Sequence, residues 1–276
     1  MRAIGISILN SEVLSPVNTR LWLKPHAHTA SIVNSVGAPW EISRLTIPVS
    51  ANSTRTRVSD LYTKAGGQLS YTAVFALSPD HRLGYNVLVA GPGASSDRWH
   101  IRAAVGETFI PAAEAAGHEH ARRFFAGTFA DEANNGTNLT FTVDDDHPGL
   151  GLPELWIDGL DGKPNFTQPG LTALPEGVEQ WIRLYPTGLE DALDDGAKRL
   201  QYRAVVEYLP FGPRSRIEGG TSLFDDGCFS WANTAFLESE LFRYYDEFVL
   251  EVAGDGELVG VEYPAQGKSL RRVRDD

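Results

Sequence analysis

The sequence predicts an α+β fold in which an antiparallel sheet with helices is followed by a mostly antiparallel β-barrel. In the first part, apolar residues alternate with a period of two in three strong strand candidates joined by short links, which favours hairpins. In the second part, about eight short strand candidates follow one another with regular turn residues over roughly 150 residues, a pattern typical of a closed barrel or a sandwich. We place the boundary near Pro111, which predicts domains of residues 1–110 and 111–276.

The first predicted domain begins with helical sequence. Ser15 followed by Pro16 is typical of the N-cap and first position of a helix, and Pro25 ends that helix. Residues 26–38 have the composition of a loop. The segment 91–96, rich in glycine and serine, is predicted to be a plain turn with no helix after it. The strand candidates of this domain are 40–42, 45–47, 58–64, 71–77 and 83–90.

The second predicted domain opens with a helix at 111–124, where Ala, Glu, His and Arg recur at helical spacing. The remaining sequence is predicted to be all β. Gly254-Asp255-Gly256 lies between two alternating apolar segments and predicts a tight hairpin turn there. The strand candidates after the segment 125–129 are 138–143, 154–157, 181–185, 201–208, 229–233, 247–252, 257–263 and 269–273.

The composition excludes several classes of partner and site. The formal net charge is -12, and an acidic surface repels phosphate backbones, so no nucleic acid is expected as a partner. No apolar run approaches the roughly 20 residues that a membrane helix needs, so no membrane segment is expected. Cys228 is the single cysteine, which excludes an internal disulfide and a cysteine-based metal site.

The sequence gives mixed indications about localisation. Residues 1–25 lack the pattern of a secretory signal peptide, so the chain as given is expected in the cytoplasm. Glycosylation sequons nevertheless hint at a secreted ancestry, and they begin at Asn52, Asn135, Asn138 and Asn165.

Small polar clusters give only weak site predictions. Two pairs of histidines have a spacing of two residues, which places both rings on one face only in a strand. Two acidic runs could hold a cation, but runs of this kind are more often solvated turns. No metal site is predicted, and nothing in the sequence requires a cofactor. The clusters are His26 with His28, His118 with His120, Asp144–Asp146 with His147, and Asp225-Asp226.

The aromatic residues of the second domain are expected mainly in its core. A barrel rich in aromatic side chains can also enclose a small ligand. The candidate contacts to such a ligand, a small apolar molecule, are Trp156, Trp181 and Trp231.

One region carries a family resemblance. The segment Lys64-Ala65-Gly66-Gly67 ends one strand candidate, and Ser70-Tyr71, Pro79-Asp80, Leu83-Gly84, Leu88 and Ala90 follow it in two further strands. This series resembles the third conserved motif region of serine β-lactamases of class C, penicillin-binding proteins and related fungal esterase-like proteins. Phe125-Ala126-Gly127-Thr128-Phe129 resembles the start of the barrel domain that many members carry after the catalytic domain.

The resemblance implies a fold and a few site residues. It implies the C-terminal part of the family architecture, with a partial β-lactamase-like sheet followed by a lipocalin-like barrel, and without the N-terminal catalytic portion. In the family the corresponding strand borders the active site and contributes to the oxyanion hole. By resemblance, Lys64 would bind a substrate carboxylate, and Gly66 and Gly67 would let substrate lie along the strand. Ala65 replaces the usual Thr, so a hydroxyl contact is lost.

The departures from the family pattern are larger than the matches. Acyl transfer needs Ser-x-x-Lys, in which the lysine takes the proton of the nucleophilic serine. No serine stands three residues before any of the lysines, and no Tyr-x-Asn motif is present. Ser50-Ala51-Asn52 matches Ser-x-Asn in letters but lies too close to Lys64 for the order of the family. The catalytic residues therefore remain unknown.

Three functions remain open at this point. The chain is a truncated β-lactamase-like protein that is not an autonomous acyl hydrolase, or a repurposed barrel that acts in fungal secondary metabolism as a non-covalent, pericyclase-like cyclase or isomerase. The third alternative is a structural or partner-binding module. The resemblance also implies that strand 83–90 lacks its neighbour, so we expect a homo-oligomer, a complementary chain, or residues 1–48 to cover that edge.

Overall fold

The computed structural model describes residues 2–51, 53–166, 176–209 and 243–274. The chain divides into two compact units, Met1–Glu119 and His120–Asp276. The first unit is a sheet with helices and the second is a barrel. The predicted strand 229–233, together with Cys228, Trp231 and Asp225-Asp226, lies outside the described residues.

The first unit contains a six-stranded sheet in which each strand is antiparallel to the next along the chain. The predicted hairpins between the three strong strand candidates are confirmed. The elements are α1 Arg2–Leu9, α2 Pro16–Trp22, β1 Ala27–His28, β2 Asn34–Val36, β3 Glu41–Pro48, β4 Thr56–Gln68, β5 Tyr71–Ser78, β6 Leu83–Ala90 and α3 Ala94–Phe124.

Four expectations for this unit were wrong. Residues 26–38 hold two short strands, and the candidates 40–42 and 45–47 are one strand, β3. A helix does follow the turn at 91–93, because α3 begins at Ala94. Pro111 suggested a helix start, since proline is common at the first helical position, but it lies inside α3. Its missing N–H costs one helical hydrogen bond there.

The alternation of the strands places helices on both faces of the sheet. On one face, Trp40, Tyr62 and Leu77 pack with Ile8 of α1. On the other face, Leu61 and Ala76 pack with Ile110 of α3. Residues 61 and 62 are neighbours on β4 with opposite orientation, as the period of two requires.

The second unit is a closed antiparallel barrel. Among the described residues, eight strands form the ring in the order β9, β11, β12, β13, β14, β15, β7, β8, and pairing of β8 with β9 closes it. Short β10 adds to β9 outside the ring. Within the ring, each strand pairs with the ring strands that precede and follow it in sequence, and the last strand, β15, pairs with the first, β7. The predicted α+β fold with a barrel is confirmed. The strands are β7 Gly127–Asp131, β8 Asn134–Thr142, β9 Leu150–Ile157, β10 Leu160–Asp161, β11 Glu179–Ala192, β12 Lys198–Leu209, β13 Glu247–Val252, β14 Leu258–Tyr263 and β15 Lys268–Arg272.

The inside of the barrel is filled by apolar side chains. Leu155 and Ile157 of β9 lie in this core. Phe125, directly after α3, lies in it too, and Phe124 at the end of α3 packs against it. Burial of one such aromatic or aliphatic side chain is worth about 1.5–3 kcal/mol. The largest fully buried aromatic residues are Phe129, Phe141, Phe166, Phe248 and Tyr263.

Strands β11 and β12 extend much further than the sequence predicted. Their pairing continues beyond an irregularity between Pro186 and Glu190, down to Ala192 and Lys198. Most residues between 186 and 197 are exposed. Polar residues that are solvated on both faces lack the alternation from which strands are recognised, so this part of the hairpin gave no strand pattern.

Candidate functional site

The strand that carries Lys64, Gly66 and Gly67 has one open edge. The pairing of β3 with β4 ends at Glu41 and Thr63. From residue 64 to residue 68, β4 pairs with β5 on its other side and with no second strand among the described residues. Unpaired backbone N–H and C=O groups in this stretch can therefore face a bound molecule.

The side chain of Lys64 lies at this edge. It is about half exposed, and its Nζ atom lies 2.5 Å from Oε1 of Glu41. Exposed ion pairs of this kind contribute at most about 1 kcal/mol. An anionic group that binds Lys64 would thus displace Glu41 at small cost.

The two glycines of the motif differ in what they are needed for. A Cβ atom on Gly67 would lie 3.0 Å from the carbonyl oxygen of Tyr71, so the hairpin itself disfavours a larger residue. A Cβ atom on Gly66 would meet nothing within 4 Å. Packing among the described residues therefore does not explain Gly66, whereas a molecule lying along the strand would.

A buried arginine from α3 holds the motif from the opposite face. Arg98 donates to the carbonyl oxygens of Gly66 and Ala73 at 3.2 and 3.4 Å, and also donates to Oγ1 of Thr72. The Thr72 hydroxyl donates in turn to the Gly66 carbonyl at 3.1 Å. Sequence reasoning missed Arg98, because an arginine in a helix normally predicts an exposed position.

A second network in the first unit has the connectivity of a hydrolytic triad. Oγ of Ser78 lies 2.7 Å from Nδ1 of His81, and Nε2 of His81 lies 2.8 Å from Oε2 of Glu114. Arg57 donates two hydrogen bonds to Glu114, at 2.7 and 2.6 Å, and a third to Asp80 at 3.0 Å. A neutral imidazole that donates from Nε2 and accepts at Nδ1 satisfies all these groups.

The burial of this network argues for a structural role. Only 1% of Ser78 is exposed, so an acyl substrate cannot reach its hydroxyl. Burial alone would raise the pKa of Glu114, but Arg57 and His81 outweigh it and lower the pKa to about 2. The network fixes α3 to the turn between β5 and β6. It joins residues far apart in sequence, and nothing in the sequence pointed to it.

The tryptophans predicted as ligand contacts lie on the outer side of the barrel wall. Trp156 is 42% exposed and alternates with the buried Leu155 and Ile157. Trp181 alternates with buried Ile182 and stacks on the ring of His147, with centroids 4.3 Å apart. Any ligand contact of these two residues would therefore be made outside the core. Trp231 lies outside the described residues.

The acidic run before His147 belongs to a loop built around a buried arginine. Arg183 donates to the carbonyl oxygens of His147, Pro148 and Gly149 at 2.6–3.0 Å and to Asp144 at 2.5 Å. Burial alone would raise the pKa of Asp144, but Arg183 and His147 lower it. Asp144 is thus engaged by the Arg183 guanidinium and the His147 ring, which disfavours a metal ion. No cluster of His, Cys, Asp and Glu with metal-binding geometry occurs in the described part of the chain, which includes the four histidines of the predicted pairs.

The segment resembling the start of the family barrel has a structural explanation. Arg272 of β15 donates to the carbonyl oxygens of Phe124 and Ala126 at 2.7 and 2.9 Å, and its guanidinium lies 4.9 Å from the centroid of the Phe129 ring. Gly127 has a φ of +146°, and a Cβ atom there would lie 2.5 Å from Nη1 of Arg272. Glycine is therefore required at residue 127, where β15, the last strand of the barrel, pairs with β7, the first.

In the part of the barrel that the structure describes, one core hydroxyl has no hydrogen-bond partner. The rings of Phe248 and Tyr263 stack with centroids 4.7 Å apart, and Phe166 continues the stack at 6.5 Å from Phe248. The Tyr263 hydroxyl is buried and has no hydrogen-bond partner among the described residues. Burial raises the pKa of Tyr263, so the phenol stays protonated. A buried donor without a partner is a place where a water or a polar atom of a ligand would be held.

Membrane insertion through a helix is not supported. None of the described helices is long and apolar enough to cross a bilayer.

Comparison with known proteins gives the family. A family model described as "Beta-lactamase-like-like, C-terminal domain" matches residues 117–274. A β-lactamase-like protein of Arthroderma benhamiae is 26% identical over 93% of this chain and 45% of its own length. A probable hydrolase M10 of Phoma sp. is 28% identical over 64% of this chain and 29% of its own length. The chain therefore spans less than half the length of these relatives.

One solved structure is also similar. The octameric penicillin-binding protein homologue from Pyrococcus abyssi matches 74% of this chain and 41% of its own chain, at 12% identity and a TM-score of 0.27. That score is too low to carry a structural argument. The family model, in contrast, covers more than half of the chain, and the chain therefore belongs to this β-lactamase-like family, with residues 117–274 as its C-terminal domain.

Proposed function

We propose that this chain contributes the substrate-bordering strand and the barrel of a serine β-lactamase-like hydrolase and does not catalyse acyl transfer alone. The observation that carries the proposal is the open edge of β4 between residues 64 and 68, with Lys64 half exposed. The role of Lys64 is to bind a carboxylate of the substrate, and that of Gly66 is to let the substrate backbone approach. The relatives named β-lactamase-like protein and probable hydrolase are more than twice as long.

The lack of independent activity rests on chemistry. The sequence has no Ser-x-x-Lys motif, and the Ser78 hydroxyl with its His81 neighbour is buried. Without a Ser-x-x-Lys pair, and with Ser78 of the described network buried, a loss of several orders of magnitude in rate is expected. A separate or preceding catalytic portion would have to supply both groups.

Covalent labelling tests this proposal. The folded chain is incubated with a fluorophosphonate and, separately, with a reactive penicillin, and the intact mass is measured. We expect no adduct. A stoichiometric adduct on folded protein would overturn the proposal. The variant Ser78→Ala would then show whether Ser78 of the buried network is the nucleophile.

A second candidate function is small-molecule binding in the barrel. The unpartnered Tyr263 hydroxyl beside the Phe166–Phe248 stack favours it, since an aromatic wall with one polar group is typical of sites for apolar ligands. A barrel of this kind could act in fungal secondary metabolism as a cyclase or isomerase of the pericyclase kind, by positioning a reactive molecule.

Titration with the apolar fluorescent probe N-phenyl-1-naphthylamine tests the second candidate. Saturable binding near one equivalent, weakened in Tyr263→Trp, supports an interior site. Fluorescence that does not saturate, or equal binding by the variant, excludes it.

A further inference from the structure

Strand β6 presents an unpaired edge. It is the last strand of the six-stranded sheet, and no described strand pairs with its outer side. The hydrogen bond from Gly91 N to Ser70 O, 2.9 Å long, fixes the phase of the β5–β6 ladder. Because bonded pairs alternate in an antiparallel ladder, residues 83, 85, 87 and 89 bond to β5. The N–H and C=O groups of Gly84, Asn86, Leu88 and Ala90 point outward.

This edge lacks the features that normally prevent pairing. Exposed edges usually carry charges, proline or a bulge. The β6 sequence Leu-Gly-Tyr-Asn-Val-Leu-Val-Ala holds no charged residue and no proline, although 22% of the whole chain is charged. Its register with β5 runs from residue 83 to residue 90 without a shift. The edge is thus straight, uncharged and eight residues long.

A groove lies beside the edge. It has a volume of about 490 Å³ and is lined by residues of α1, β5, β6 and the turn before β6, including Ile6, Phe75, Arg82, Gly84 and Leu88. Gly84 lines this groove without a side chain, and the packing requires that, because a Cβ atom there would lie 2.9 Å from Leu77 and 3.8 Å from Cα of Gly5. Leu88 stands on the same strand and is 65% exposed. One strand therefore carries a protruding apolar side chain at Leu88 and no side chain at Gly84.

We infer that this surface binds a second copy of the chain by antiparallel pairing of β6 with β6. A two-fold axis at Asn86 places each Asn86 opposite its counterpart and each Leu88 opposite Gly84 of the other copy. Leu88 of each copy then enters the groove at Gly84 of the other, so the surface is complementary to itself. The pairing satisfies the outward backbone groups and gives one continuous sheet of both copies.

The charge of the chain restricts where a second copy can bind. Each copy carries a net charge of -12, so most pairs of surfaces on two copies repel each other. Strand β6 carries no charged residue, and the charged residue that lines its groove, Arg82, is cationic, so pairing of two β6 strands brings no carboxylates of these strands together. The proposal does not depend on acyl transfer or on the barrel, so its failure would leave the proposed function untouched.

Light scattering coupled to size exclusion tests the inference on the full chain. We expect twice the 30.2 kDa chain mass over a wide range of concentration, with dissociation on dilution. Leu88→Lys should give a monomer, because a charge in the groove would be desolvated. The matched control is Leu21→Lys on α2, where the native leucine is similarly exposed at 60%, and it should remain dimeric.

Amide exchange gives a second measurement that needs no variant. In a dimer the outward amides of residues 84, 86, 88 and 90 should exchange at least about tenfold more slowly at high than at low concentration. A wild-type chain that is monomeric throughout, or a dimer that persists in Leu88→Lys, overturns the inference. Fast exchange of these amides at the highest concentration overturns it as well.

Discussion

Replacing Glu114 by Gln should destabilise the first unit by about 3 kcal/mol at neutral pH. Arg57 and His81 hold the Glu114 carboxylate in a half-buried site. Burial opposes ionisation there, yet these two partners lower the pKa of Glu114 from 4.5 to about 2. This difference corresponds to about 3 kcal/mol, because one pH unit is worth 1.36 kcal/mol. The Gln side chain keeps the shape but removes the carboxylate that accepts two hydrogen bonds from Arg57, which leaves Asp80 as the charge partner of that guanidinium.

The lowered pKa of Glu114 determines how its stabilising contribution depends on pH. The folded-state pKa lies below the unfolded value, so the stabilisation is complete above about pH 4.5 and is lost as the pH falls through about 2. The free-energy difference between wild type and Glu114→Gln should therefore shrink as the pH falls from about 4.5 through about 2. Denaturant-dependent amide exchange in β5 reports the stability of this unit.

A matched control lies on the same helix. Glu107 is exposed, and Glu107→Gln should change the free energy of unfolding by less than about 0.5 kcal/mol. A difference for Glu114→Gln that stays constant with pH would show that the charge is not the source of the stabilisation. An equal loss in the control would refute the reasoning too.

Two further predictions concern residues of the barrel, and both are measured by thermal unfolding. Tyr263→Phe removes the unpartnered hydroxyl and should stabilise the barrel by about 1 kcal/mol; a loss of stability would instead mean that a water or ligand is bound there. Gly151→Ala should cost at least about 2 kcal/mol, because its Cβ atom would lie 2.5 Å from Nη1 of buried Arg183. The control Gly117→Ala lies in α3 with nothing within 4 Å and should stabilise by about 0.5–1 kcal/mol, so equal losses in both would contradict the steric explanation.

The local sequence pattern was sufficient to predict much of the fold. The observed β6 and β13 have the predicted bounds, because each is a short, mostly apolar segment rich in β-branched or aromatic residues that ends at a turn-forming sequence. The N-cap at Ser15 was also predicted correctly, and its side chain accepts from the N–H of Asn18. These features depend on residues within one turn or one hairpin.

The rest depends on contacts that sequence spacing does not reveal. The relay from Ser78 to Glu114 and the loop around Arg183 bring together groups that are more than 30 residues apart. From the sequence alone, a buried arginine that donates to carbonyl oxygens cannot be distinguished from an exposed arginine. The outward position of Trp156 could have been predicted, since its neighbours Leu155 and Ile157 alternate with it.

The closure of the barrel has a kinetic consequence. β7 pairs with β15 through Phe129 with Arg272 and Ala130 with Arg271, so the ring joins segments from opposite ends of the domain. Such non-local pairing slows folding, because closing a long loop costs conformational entropy before the stabilising contacts form. We therefore expect the barrel to fold late and as a whole. Deleting residues 268–272 would leave two long unpaired edges where the closed ring has none, and the predicted outcome is aggregation of the open sheet.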